Sequence, residues 1–234
     1  MTTKLIILAT FLLLELTARA QSVSARRDLP KFMGREVTIT EPALDDTGFF
    51  PKGPASICLQ GPPQRQCYTA PKDFGDSPTV NVVEFKKGVL ALLFSAASGG
   101  VSSRLIHLAL LRPGTGKDLE DLLATAVTSV SNQNQYEFWD DVTISDAQIF
   151  VTADYVWGPD EGHYAEHRYI LSSYVLKPRL NSEDGSYYLD DRYMTARKYD
   201  LESGVGILAS EKQEILARLK RAKAAAEPRQ QAPR

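Results

Sequence analysis

Apolar and polar residues follow two different rules along this chain. From residue 79 to 199 they mostly alternate with the two-residue period of β-strands. Thr79–Phe85 (TVNVVEF) alternates and is rich in β-branched residues. Lys86-Lys87-Gly88 then turns the chain into Val89–Ala97, a continuous apolar run of the length expected for a strand buried on both faces. A further turn at Ser98-Gly99-Gly100 leads into Ser103–Leu111, so the three segments predict an antiparallel meander. Asp118–Ala126 reads as a single helical turn running into a strand at Val127–Val130. Ala147–Trp157 alternates strictly, with Ala147, Ile149, Val151, Ala153, Tyr155 and Trp157 on one face. The turn cluster Gly158–Gly162 separates it from a strand at His167–Leu176. Asp184-Gly185 signals a hairpin into Tyr187–Tyr199.

Outside this region the pattern changes. Ser210 and Gln213 have the spacing of a capping box, and Ile215, Leu216, Leu219 and Ala222 form an apolar stripe, predicting a helix over Glu211–Ala225. Glu227–Arg234 reads as a frayed tail. Before residue 79 periodicity is weak, and eight of the 13 prolines fall at positions 30, 42, 51, 54, 62, 63, 71 and 78. Proline cannot donate to a sheet ladder, so residues 21–78 predict an extended Pro/Gly-rich lead-in with one short strand at Glu36–Thr40. At the start, Lys4, the apolar run Leu5–Leu14 and Ala18-Arg19-Ala20 have the organisation of a secretory leader cut before Gln21. The run is shorter than the ~20 residues that span a bilayer, so no integral anchor is expected after the cut.

The expected organisation is therefore a leader (1–20), the lead-in (21–78), a β-rich domain (79–209), a C-terminal helix (210–226) and a tail (227–234). The fold class is mainly β, with antiparallel sheets in a sandwich- or blade-like arrangement.

Charge adds an exclusion. Removal of the leader leaves 25 basic and 28 acidic residues, a formal charge of −3, which lacks the basic footprint of a nucleic-acid binder. The chain has two cysteines, Cys58 and Cys67, separated by a Gly-Pro-Pro turn. In an exported chain an even count reads as a disulfide, and the absence of CxxC spacing argues against a redox pair.

Candidate chemistry is sparse. His163-Tyr164-Ala165-Glu166-His167 fits H-x-x-E-H, the spacing of inverted zinc peptidases. Two such histidines share an ion only on a helix, where they lie ~6 Å apart. On a strand the separation is ~13 Å, too wide for one ion. The flanking alternation favours strand, which makes the imidazoles ordinary hairpin residues. Asp140, Asp141, Asp146, Asp154, Asp160 and Glu161 form an acidic run that could serve a carboxylate-based hydrolase or calcium. Solvated loop acids are the simpler reading, with mid-strand Asp154 calling for a partner such as Arg168 or Arg192. His107, isolated in an apolar strand, reads as a satisfied core histidine. No nucleophile elbow, P-loop or dinucleotide fingerprint occurs, and no cofactor is implied.

Aromatic residues crowd the last strands, and Tyr155, Trp157, Tyr169 and Tyr174 are the candidate binding surface. The expectation is an exported, non-enzymatic protein, periplasmic or extracellular, that binds a protein or glycan. Two alternatives stand beside it. One is a secreted hydrolase, zinc-dependent through His163, Glu166 and His167 or carboxylate-based around Asp140, Asp141 and Asp154. The other is an accessory protein that docks through its C-terminal helix.

Overall fold

Four layers, stacked in the order in which the chain makes them, build the structure. It is a computed structural model that describes residues 29–99, 105–130, 135–159, 161–162, 165–179, 182–204 and 206–226. The first layer is an antiparallel sheet of β1 (Lys31–Phe32), β2 (Arg35–Thr40), β3 (Ser56–Leu59) and β4 (Gln66–Thr69), in that order. The second contains β5 (Phe74–Lys86), β6 (Val89–Ser98), β7 (Leu105–Pro113) and β8 (Leu119–Asp121), with β9 (Val127–Val130) also paired to β7. The third is β10 (Tyr136–Trp139), β11 (Ile149–Val156), β12 (Arg168–Arg179) and β13 (Ser182–Met194). A short helix α1 (Leu201–Gly204) leads into α2 (Ile207–Ala226), the fourth layer. The expected mainly β, antiparallel architecture with a C-terminal helix is the one observed.

Three cores separate the layers. Phe32, Ile39, Ile57 and Leu59 of the first sheet meet Leu92, Phe94, Ala109 and Leu111 of the second. The opposite face of the second sheet, with Leu93, Leu108 and Leu110, packs on Phe150, Tyr174 and Tyr187 of the third. The far face of the third, with Ile149, Val151, Ala153 and Leu171, receives Ile207, Leu208, Ile215 and Leu219 from α2. This is why β6 reads as unbroken apolar sequence. Its even positions Leu92, Phe94 and Ala96 fill one core and its odd positions Ala91, Leu93 and Ala97 the next.

The structure corrects four expectations. The lead-in holds four strands rather than one, and they supply half of the first core. Seven of its eight prolines fall outside the strands, and Pro78 falls in β5 at a register shift between Asp76 and Thr79, where no ladder bond is asked of it. The helical turn at Asp118–Ala126 does not form. Asp121 Oδ1 accepts from Leu110 N and Leu123 N, each at 3.0 Å, and this holds the segment extended along β7. Asp184-Gly185 is not the hairpin turn, because Arg179 pairs with Ser182 and the connection falls at residues 180–181, outside the described residues. Gly185 instead sits at a register shift with φ +76°, where a Cβ would lie 2.6 Å from the Lys177 carbonyl oxygen. Finally, α2 begins before Ser210. Ser210 N donates to Gly206 O at 2.9 Å, so this residue is already inside the helix and caps nothing.

Candidate interaction site

Cys58 and Cys67 are disulfide-bonded, facing each other as a registered pair across β3 and β4. The proposed aromatic platform is not assembled. Tyr169 and Tyr174 are both buried, and they sit in different cores on opposite faces of the third sheet. That sheet is covered by the second sheet on one side and by α2 on the other, so Tyr169 and Tyr174 have become interlayer packing. Tyr155 lies on β11, and its side chain falls outside the described residues. Trp157 is 38% exposed, with its ring 5.0 Å from that of His167.

His167 marks the start of the β12 ribbon. Its backbone exchanges hydrogen bonds with Tyr199 at 2.8 and 2.9 Å. Its Nδ1 lies 3.0 Å from Glu161 Oε2, while Glu161 Oε1 pairs with Lys198 at 2.5 Å. Lys198, the Gly158 N–H and His167 together hold the Glu161 carboxyl down at about 2. The Glu161 carboxylate thus ties the start of β12 to the segment after β13. His163 and Tyr164 lie outside the described residues; the backbone from Ala165 to Arg168 is not helical, and Glu166 is exposed. The helical turn that the zinc reading needs is therefore not present across that half of the motif. Among the described residues no three His, Cys, Asp or Glu side chains gather as a metal site.

The carboxylates are similarly dispersed. Asp140 accepts from Gln148 Nε2 at 3.3 Å, and Asp141 pairs with Lys220 at 2.9 Å. Both follow Trp139, which pairs with Ile149. Asp154 is five strand positions beyond Ile149, ~17 Å away along the ribbon, against separations of at most ~10 Å in glycosidases. Burial pushes the Tyr174 hydroxyl up, and the Asp154 charge adds to that while Arg192 opposes it. His107 is in the core as expected but only half satisfied: Nε2 lies 2.8 Å from Tyr68 Oη, with the two rings near parallel, while its buried Nδ1 has no hydrogen-bond partner among the described residues. The apolar stripe of α2 is spent on its own molecule. Ile215 and Leu219 are buried, and Arg218 is clamped to Asp191 through Nε at 2.5 Å and through a second nitrogen at 3.2 Å. Among the described residues no helix is long and apolar enough to cross a membrane.

The most prominent outward feature lies in the segment read as lead-in. Residues 43–52 between β2 and β3 form a small hairpin: Leu44 bridges Pro51, Asp45 N donates to Phe50 O at 2.7 Å, and Lys52 N donates to Ala43 O at 2.8 Å. Asp45 organises its tip. Oδ1 accepts from Thr47 Oγ1 at 2.6 Å and from the backbone N–H groups of Thr47, Phe49 and Phe50 at 3.2–3.3 Å. The Thr47 hydroxyl and these N–H groups hold the Asp45 carboxyl below its usual value. Gly48 completes the turn with φ +76°. The result leaves the consecutive residues Phe49 and Phe50 52% and 53% exposed, with Leu44 of the same hairpin half-exposed.

Two glycines fix this hairpin to the second sheet. A Cβ on Gly99 would lie 2.5 Å from Phe49 O and 2.8 Å from Phe50 Cα, and one on Gly75 would lie 2.1 Å from Gly53 O. Beside Phe50 is an open cleft of about 380 Å³, to which Lys52, Lys72 and Asp73 contribute. The tip and its flanks carry Glu41, Asp45, Asp46, Asp73 and Asp76 against Lys52 and Lys72, with Lys52 paired to Asp46 at 2.9 Å. Adjacent exposed rings on a braced backbone suit a binding contact, because they offer large apolar area without a loop to be ordered first. Sequence reasoning missed this site by reading the region as an extended lead-in. The available signal was Asp45-Asp46-Thr47-Gly48, an Asx-type turn, followed at once by two phenylalanines. Comparison with protein-family models, curated proteins and solved structures finds no match to this chain.

Proposed function

We propose that this chain is an exported binding protein that engages a partner protein through the Phe49–Phe50 hairpin. The observation that carries the reading is the pair of half-exposed phenylalanines on a backbone held by Asp45. Isolated exposed apolar residues are ordinary, whereas a contiguous apolar tip on an ordered loop is a recurring mark of a contact surface. Export is supported by the leader-like pattern of residues 4–20 and by the Cys58–Cys67 disulfide, a bond favoured in oxidising compartments. A protein partner suits the tip better than a glycan, because the two rings present no side-chain donor or acceptor of their own.

Site-specific photocrosslinking tests this. A photoreactive phenylalanine analogue at position 50 is expected to give a discrete protein adduct in cells. The same analogue at Leu90, 41% exposed at the start of β6 and away from the hairpin, is expected to give none. Equal labelling from both positions, or none from position 50, would remove the hairpin as the site. Mass analysis of the exported form should show an N-terminus at Gln21.

A further inference from the structure

The tip has a complement on the same molecule. Near the end of α2, Ala222 joins Ile144, Val175 and Leu176 around a cleft of about 280 Å³, rimmed by Lys177 and Lys223. Lys177 is offset by Asp190 at 2.6 Å. Lys223 is held only by the carbonyl oxygens of Thr143 and Ile144, at 2.8 and 3.2 Å, and has no carboxylate partner among the described residues. The cleft is therefore apolar with a positive rim, whereas the tip is apolar with acidic flanks.

Position in the stack decides what can meet what. The hairpin belongs to the first layer, and the cleft lies between the third and fourth. Two full sheets separate them, so a molecule cannot fill its own cleft. A contact between unlike surfaces at opposite ends of a molecule is heterologous and can repeat.

We propose that the partner of the Phe49–Phe50 tip is a second copy of this chain, whose α2–β12 cleft receives it head to tail. This rests on the hairpin being the interaction site, as proposed above. The rings fill the apolar floor, and the acidic flank, in which Asp46 is already paired to Lys52 but Glu41, Asp73 and Asp76 outnumber Lys72, faces Lys223. Association strengthens as salt is lowered, since the rim contacts are exposed charges.

Sedimentation velocity of the leaderless chain over a concentration series tests the proposal. The average mass of the parent is expected to rise with concentration. Phe50→Asp at the tip, and Lys223→Glu or Ala222→Glu at the cleft, each weaken association by about tenfold or more, as loss of a central contact does. All three are surface changes, and unchanged melting curves show that the fold is kept. The decisive sample mixes Phe50→Asp with Ala222→Glu. One variant retains a working cleft and the other a working tip, so the mixture gives a capped dimer and nothing larger. A parent that stays monomeric throughout, an association indifferent to these variants, or a mixture that stays monomeric would overturn the proposal. If the parent is monomeric while position 50 still crosslinks to a different protein, self-association falls and the hairpin stands. If position 50 gives no adduct either, both fall.

Discussion

Two groups of the second sheet, His107 buried on β7 and Asp121 half-buried on β8, titrate in opposite senses. Burial pushes the His107 imidazole down to about 4. Between its ordinary value and about 4 the unfolded chain binds a proton that the folded chain refuses. The stability tied to His107 is thus present above pH ~6.5 and lost as pH falls toward 4. Asp121 behaves in reverse, since burial pushes its carboxyl up to about 7 against the two backbone N–H groups that favour its charge. Its contribution is full below pH ~4 and lost as pH rises through 7. Urea unfolding at pH 4.5, 6 and 8 checks both. Asp121→Asn is expected to gain about 1–3 kcal/mol relative to the parent between pH 4.5 and 8. His107→Leu is expected to gain relative to the parent on going from pH 6 to 4.5. A constant difference across pH for either variant would contradict the assignment. Neither role was legible in the sequence beyond His107 being a core residue, because Asp121 reads as a helix-turn acid until β7 is placed beside it.

The elements themselves were more readable than their neighbours. The apolar runs at β6 and β7 and the alternation at β11 mark strands directly, since each carries its period within about ten residues. What a local period does not reveal is how many faces are covered. Tyr169 and Tyr174 resemble a surface ribbon until α2 and the second sheet are laid against them. The helix was misplaced at its start for a related reason: Ser210 and Gln213 have cap spacing, but Ile207 and Leu208 are needed in the third core and pull the helix one turn earlier. The Glu211 carboxylate, expected in a capping turn, accepts the hydroxyls of Tyr193 and Tyr199 and fastens the helix to the strand end. Leu219 is fully buried beneath the helix. Leu219→Ala is expected to cost about 2–5 kcal/mol in denaturant unfolding, as a buried leucine truncation does. A loss under ~1 kcal/mol would mean that α2 is only loosely laid on the sheet.

At the scale of the whole molecule, the three cores of the described residues join each layer to the next, and chain order equals stacking order. The division into a lead-in and a domain missed this, because the first core is made of contacts between distant segments, such as Ile57 with the second sheet, that leave no local trace in the sequence. A chain laid down in this order has a direction. A ribosome or a translocation channel delivers the first sheet, then the second, and each new layer seals the surface left open by the one before. The growing end stays sticky until the helix arrives as a lid. A fragment stopping at residue 130 should accordingly complete its first core yet leave Leu93, Leu108 and Leu110 bare, and bind an apolar dye that the full chain ignores. If that fragment ignores the dye as well, the layers do not mature in sequence and the vectorial account is wrong.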